Sequence, residues 1–413
     1  MRDMLRGVSP QDFDIATSAL PEQVEALFPR TIGVGRQFGV MLVLEAGGQY
    51  EVATFRNDGG YSDGRRPDAV EFADARADAQ RRDFTINGLF LDPLTGETHD
   101  WVGGSEDLRA RRVRAIGDPC ARFAEDHLRL LRAVRFAAQL DFQIEASTWA
   151  ALQSLAGRIQ SVAAERVRDE LVKLLRPPHA AHGLDLLEQS GLMAFVLPEL
   201  VPTVNCEQPP DHHPEGTVYQ HIRAMLALLP ADAPFALPWA ALLHDIGKPA
   251  TASRSPDGRI HFYAHEQVGA DITAALLERL RFSRSQIEEI TFVVRHHMQL
   301  KDAPQMRKAT LRRVLLRPTF ALELEHLRLD CQASHGKMNL HELLLREQAE
   351  LASQPALAAP LLRGDDLIAL GFVPGPELGR MLEDARDRQL SGELTTRDAA
   401  LAWAKERAAQ PPR

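Results

Sequence analysis

Asp12-Phe13-Asp14-Ile15-Ala16-Thr17 is the stretch whose reading decides the fold. Two carboxylates one residue apart leave a strand on the same side, because strand side chains alternate, and Phe13 between them is expected to point into a core. Carboxylates held on a rigid strand suit divalent cations, which take hard oxygen ligands. Such a cation can activate a hydroxyl and neutralise a leaving phosphate. Taken alone, Asp-x-Asp is more often a solvated strand end or an Asx turn, so the choice rests on its surroundings.

Working outward, Met1 to Leu5 reads as a helix end stopped at Gly7, and residues 20–28 as a short helix with Pro21 near its start and Pro29 after it. Residues 31–39 read as a glycine-rich turn. Val40 to Leu44 and Gln49 to Phe55 read as the strands of a hairpin turned at Gly47-Gly48. Residues 56–69 are almost devoid of apolar side chains and read as a mobile surface loop, either ordinary or able to order around a nucleotide. Val70-Glu71-Phe72 is a further strand, with Glu71 either a third metal-side carboxylate or merely solvent-facing. In Arg81-Arg82-Asp83-Phe84-Thr85-Ile86-Asn87, Asp83 is placed to cap a helix. Guanidiniums at a helix N-terminus suit a triphosphate, although a charged cap at a packing corner fits the same residues.

The chain has 413 residues, 45% of them hydrophobic and 25% charged, enough for two or three domains with real cores. Cys120, Cys206 and Cys331 show no metal-finger spacing and point to a reducing compartment, with the cytoplasm as the default. There is no uninterrupted apolar run of membrane-spanning length, so no membrane partner is expected. A net charge of −9 gives no global case for nucleic-acid binding, which would have to rest on local basic patches.

Together, Arg2-Asp3, Asp12-Phe13-Asp14, Val34 to Gly39, Glu51 to Arg56, Glu71-Phe72-Ala73 and Arg81 to Asn87 resemble the bacterial class II nucleotidyltransferases, the CCA-adding enzymes and poly(A) polymerases. The resemblance implies an α+β chain whose polymerase-beta-like head, a mixed sheet with helices, precedes an all-helical neck, body and tail. It implies that Asp12 and Asp14 hold Mg2+, and that Arg2, Arg36, Arg81, Arg82, Asp83 and Asn87 surround the triphosphate. The family motif carries two glycines and a valine before Arg-Asp. Met1 stands at the valine, so the native chain is expected to begin upstream.

Residues 113–176 read as a helical neck, preceded by a basic run at Arg109, Arg111, Arg112 and Arg114. One helix is expected through Glu125 to Phe136, with Asp126 and Arg129 on one face. Those two form either an intrahelical salt bridge or a base template. A carboxylate accepts from an exocyclic amine and a guanidinium donates to a ring nitrogen, which fits adenine and cytosine and refuses guanine and uracil. The resemblance implies that Glu125, Asp126 and Arg129 read the base, with Arg132, Arg135 and Arg166 in the neck.

After Pro177-Pro178 the chain changes character and histidines accumulate: His221, His244-Asp245, His265, His296-His297, with Asp330 closing the series. Imidazoles and carboxylates on apolar helices make either a metal site or a hydrogen-bonded polar core. The order resembles the HD phosphohydrolase superfamily. That implies His221, His244, Asp245 and Asp330 on a first divalent metal such as Mn2+, Ni2+ or Mg2+, His265 with His296 or His297 on a second, and Lys248 near substrate phosphate. Lys301, Arg307, Lys308, Arg312, Arg313 and Arg317 give a basic face for RNA phosphates or for solvent.

The expected activity is template-independent addition of CMP and AMP, from CTP and ATP, to tRNA 3′ ends, with phosphohydrolase activity in the HD region. Alternatives are a poly(A) polymerase, an enzyme adding only A or only CC, an HD phosphohydrolase with an inactive head, and a non-enzymatic RNA-binding protein. Expected domains are 1–112, 113–176, 177–345 and 346–413.

Overall fold

The computed structural model describes residues 1–10, 13–45, 47–59, 70–211, 213–353 and 359–408. Asp12 and most of the polar loop, residues 60–69, lie outside the described residues. The chain forms two compact units, Met1–Pro202 with Leu276–Phe282, and Thr203–Ala275 with Ser283–Arg413.

In the first unit a four-stranded sheet is built from β1 (Asp14–Thr17), β2 (Thr31–Gly35), β3 (Val40–Glu45) and β4 (Gly48–Thr54), in the order β1-β4-β3-β2. β1 runs parallel to β4 and the other pairs are antiparallel, so the sheet is mixed. The helix Pro21–Leu27 lays Val24 on Met41, Val43 and Val52, the alternate positions of β3 and β4 that face one side. β1 lies outside that contact. With β4 as its neighbour in the sheet, Phe13 stays 55% exposed and Ile15 43%, which corrects the expectation that Phe13 enters the core.

Residues 31–35, expected as turn, form the edge strand β2. An edge strand tolerates Gly33 and Gly35 because it is held by backbone bonds to β3, with a register shift between Ile32 and Gly35. Arg56–Asp58, expected as loop, pairs antiparallel with Val70–Phe72. The expected helix through Glu125 to Phe136 is two helices, Pro119–Glu125 and Leu128–Leu140, because Asp126 is extended (φ −146°, ψ 105°) and its carboxylate accepts from Leu128 N–H at 3.1 Å.

The second unit is helical apart from a hairpin, Ala252–Arg254 with Ile260–Phe262. At its centre the helix Ala236–Leu243 is buried on every side, as an apolar sequence without a polar face requires. It delivers His244 and Asp245 into the interior. Gly247 follows because a Cβ there would meet the His265 carbonyl oxygen at 2.2 Å and Gly269 N at 2.6 Å. That close approach seats the start of the helix His265–Arg279 against the Asp245–Lys248 turn. A separate small core of Leu362, Leu367, Ala385, Leu394, Ala400 and Ala404 holds the C-terminal helices.

Candidate active sites

In the head, Asp14 is exposed at the start of β1, and the parallel register sets it opposite Glu51, also exposed, on β4. Glu71 lies instead on the two-stranded ribbon, opposite Asn57. Glu51 was named by its motif alone; cross-strand register is what places a carboxylate beside Asp14.

The residues expected around the triphosphate fall into two groups. Arg36 pairs with Glu22 and Glu25 at 3.5 and 3.2 Å and remains largely exposed. The others converge. Arg81 and Arg82 both reach the buried Asp78, at 2.6 and 3.2 Å, and Arg82 also donates to the Asn87 carbonyl at 3.0 Å and lies over Phe90. Asp83 does not cap a helix: the following 3₁₀ turn, Thr85–Asn87, has Phe84 at its N-cap. Asp83 instead accepts from Phe84 N–H at 2.8 Å, Asn87 Nδ2 at 3.0 Å and Arg132 at 2.6 and 2.8 Å. Burial works to raise its pKa, but the Arg132 guanidinium and the Asn87 amide outweigh it and hold it at about 2. Arg2 completes the cluster, donating to Asn87 Oδ1 at 3.0 Å above the Phe136 ring.

The neck carboxylates are paired otherwise than the spacing suggested. Asp126 takes a two-pronged bond from Arg166, at 2.7 and 3.1 Å. Arg129 pairs with Glu125 and donates to the carbonyls of Arg122 and Arg81. The Asp126–Arg129 intrahelical bridge is therefore not formed, and the two groups stand side by side on separate supports. Arg135 is buried on Glu170 at 2.5 Å. Within the basic run, Arg112 and Arg114 are drawn onto the buried Asp107 and Arg111 onto Asp141.

In the second unit the histidines do meet. Three sets of ligand atoms lie within 4.8 Å of one another: His213, Glu215 and His221; His221, His244 and Asp245; Asp245, His265 and His297. His221 Nε2 is 3.3 Å from Asp330 Oδ1, and His265 Nε2 is 3.2 Å from His297 Nε2. Of the pair at 296 and 297, His297 enters the cluster. His296, expected as a possible ligand, turns Nδ1 back to the Phe292 carbonyl and lies tilted against that ring, away from the cluster. Nδ1 of His244, His265 and His297 bonds to the carbonyls of Ala241, Phe262 and Val294, which leaves each Nε2 for the interior. Lys248 bridges Asp245 at 2.7 Å and Gln208 at 2.6 Å.

These residues fit a divalent metal. Eight buried side-chain atoms have no well-aligned hydrogen-bond partner among the described residues, and five belong here: Gln208 Nε2, Glu215 Oε2, His326 Nε2, and the Nε2 atoms of His221 and His244, which stand 3.3 and 3.1 Å from the carboxylates of Asp330 and Asp245. A polar core closed on itself would pair them, since a buried unpartnered polar atom costs on the order of 1–3 kcal/mol. Burial opposes ionisation of Asp245, yet His244 and Lys248 hold it well below the carboxylate range. Burial keeps His326 neutral, with a pKa of about 3.

Residues 1–114 match the family described as the poly A polymerase head domain, 141–203 the probable RNA- and SrmB-binding site of polymerase A, and 217–342 the HD domain. An A-adding tRNA nucleotidyltransferase of Deinococcus radiodurans is 37% identical over 358 residues, 81% of this chain and 80% of that protein. The chain belongs to the bacterial CCA-adding and poly(A) polymerase family of nucleotidyltransferases, with an HD domain. A CCA-adding enzyme of Geobacillus thermodenitrificans is 44% identical over 197 residues, and there the match spans 48% of each chain. The crystal structure of a Bacillus stearothermophilus CCA-adding enzyme in complex with CTP superposes with a TM-score of 0.71 at 28% identity, covering 98% of this chain and 91% of that one.

In this nucleotidyltransferase several site residues escaped sequence reasoning. Asp78, the common anchor of Arg81 and Arg82, is an acidic residue inside an unremarkable helix. His326 lies one helical turn before Asp330, a spacing that could have flagged it. Lys301 reaches Asp330 at 3.5 Å. The expected basic face beyond it is largely committed within the unit, with Arg312 on the Leu390 carbonyl, Arg313 on Asp387 and Arg317 on Glu323. No helix among the described residues is long and apolar enough to cross a membrane.

Proposed function

We propose that this chain extends tRNA 3′ ends without a template, adding CMP and AMP from CTP and ATP. The observation that carries the reading is the cluster of Arg2, Arg81, Arg82, Asp83 and Asn87 beside the separately supported Asp126 and Arg129. The cationic cluster suits a triphosphate. Asp126 accepts from the exocyclic amine of cytosine or adenine, and Arg129 donates to the ring nitrogen beside it. The terminal hydroxyl then attacks the α-phosphorus and pyrophosphate leaves, so alignment by these side chains carries much of the rate. Mg2+ held by Asp12 and Asp14, when bound, supplies charge neutralisation and lowers the hydroxyl pKa. Arg132 holds Asp83, and Arg166 holds Asp126, each as positioning residues.

Residues 1–112 form the catalytic head in this reading, 113–176 the base-reading neck, 177–345 the HD body and 346–413 the tail. The HD body is a phosphohydrolase centre. His221, His244, Asp245 and Asp330 would hold one divalent ion, His265 and His297 with Asp245 a second, and Lys248 directs phosphate. Three cysteines without disulfides support a cytoplasmic location.

The Deinococcus relative, matched over most of both chains, favours a second reading in which AMP alone is added. Pure protein given tRNA ending before CC, after C or after CC, with labelled CTP and ATP, separates the two. Extension of all three ends is expected of CCA addition. Extension of the CC end alone leaves the A-adding reading, and extension of none contradicts both.

A further inference from the structure

Among the buried histidines of this centre, His221 has a different outer partner. Where Nδ1 of His244, His265 and His297 bonds to a neutral carbonyl, with the Glu266 carboxylate no nearer to His265 than 3.6 Å, Nδ1 of His221 lies 2.6 Å from Glu215 Oε1. The same oxygen is 2.9 Å from Nδ1 of His213, and Glu215 Oε2 is buried without a hydrogen-bond partner. A carboxylate only accepts, so His221 donates from Nδ1 to Glu215, while its Nε2 faces Asp330 Oδ1 at 3.3 Å, the side on which a metal ion would be held by both.

The local chain is shaped to hold this contact. Gly216 sits at φ +113°, where a Cβ would strike the Gln220 side chain at 2.0 Å. Thr217 and Gln220 then form a capping box that opens the helix Val218–Ala227. The turn folds Glu215 back against His221, one turn into that helix.

We propose that Glu215 is the outer-shell positioning residue of the HD centre, making the metal position at His221, His244 and Asp245 the tighter of the two. An anionic partner on Nδ1 strengthens the imidazole as a donor, which neutral carbonyls do less well. The inference rests on the reading of this centre as a metal site.

The test uses the full chain with Mn2+ alone, following free Mn2+ by electron paramagnetic resonance, and the melting temperature of metal-free protein. Glu215→Gln, which keeps an acceptor but loses the charge, should weaken the tighter step about 10-fold, and Glu215→Ala towards about 100-fold. The weaker step and the number of ions bound should not change. The metal-free melting temperature of Glu215→Gln should stay within about 2 °C of wild type, which separates positioning from a structural role. Binding by Glu215→Gln equal to wild type overturns the proposal. So does the loss of one whole ion, which would make Glu215 itself a ligand. A wild-type protein that takes up no Mn2+ overturns the metal reading and this inference with it.

Discussion

Around Asp83 and Asp126 every charge has its counterpart, whereas around His244 and Asp245 buried polar atoms are left over. In the first cluster Asp78, Asp83, Glu125 and Asp126 each hold at least one guanidinium at hydrogen-bond distance. In the second, Nε2 of His265 faces Nε2 of His297 at 3.2 Å, and with each Nδ1 proton given to a carbonyl both are acceptors that cannot satisfy each other. The difference separates two kinds of site. A closed charge network is a rigid frame that presents its remaining donors to a passing nucleotide. An open cluster of lone pairs gains stability when a cation joins it.

The sharpest way to break the comparison is to open the closed network. Arg132→Ala leaves the Asp83 carboxylate buried with Asn87 and a backbone N–H as partners, and should cost about 3 kcal/mol in urea unfolding at pH 7. The pH dependence has a definite sign. Asp83 has a folded pKa of about 2 against the ordinary aspartate value of 3.8, so its contribution is present above about pH 4 and is lost as pH falls through 2. The gap between wild type and variant should therefore close towards pH 2.

Closing the open cluster is the next effect in size. Mn2+ at about a hundred times its dissociation constant should stabilise the wild-type protein by about 2.7 kcal/mol, read as a rise in melting temperature that a chelator reverses. Asp245→Asn should lose that rise, because Asp245 belongs to two of the three ligand sets.

Asp126→Ala should relax discrimination against UTP and GTP by roughly 10-fold or more, the equivalent of about 1–3 kcal/mol per two-pronged contact. It also frees Arg166, so some stability is lost with it. An unchanged misincorporation ratio would reduce Asp126 to a strut for Arg166. Smallest of all, Arg284→Ala removes an exposed pair with Glu288 and should leave the melting temperature unchanged, a control that lies outside both clusters.

How much of this was legible depended on how local the information is. His244-Asp245 could be read because an apolar run of helical length delivers an adjacent pair, and the family order of Arg81 to Asn87 survives as a string. Partners across the sequence could not be read. Arg166 reaches Asp126 across 40 residues, and Lys248 finds Gln208 across 40. The alternation that was expected to bury Phe13 holds only where a strand is covered, and β1 lies at the edge of the described sheet. His296 and His297 are adjacent and chemically identical. A helix turns consecutive residues about 100° apart, and only the surrounding packing decides which of them enters the centre.

The central claim is that two chemically separate centres work in one chain. It is tested most directly by assaying wild type, Asp14→Asn and Asp245→Asn side by side for extension of tRNA with labelled CTP and ATP, and for Mn2+-dependent hydrolysis of 2′,3′-cyclic AMP and bis(p-nitrophenyl) phosphate. Asp14→Asn is predicted to lose extension by more than about 100-fold while hydrolysis stays within about twofold, and Asp245→Asn to show the reverse. Loss of extension in folded Asp245→Asn, or near-normal extension by Asp14→Asn, would contradict the account.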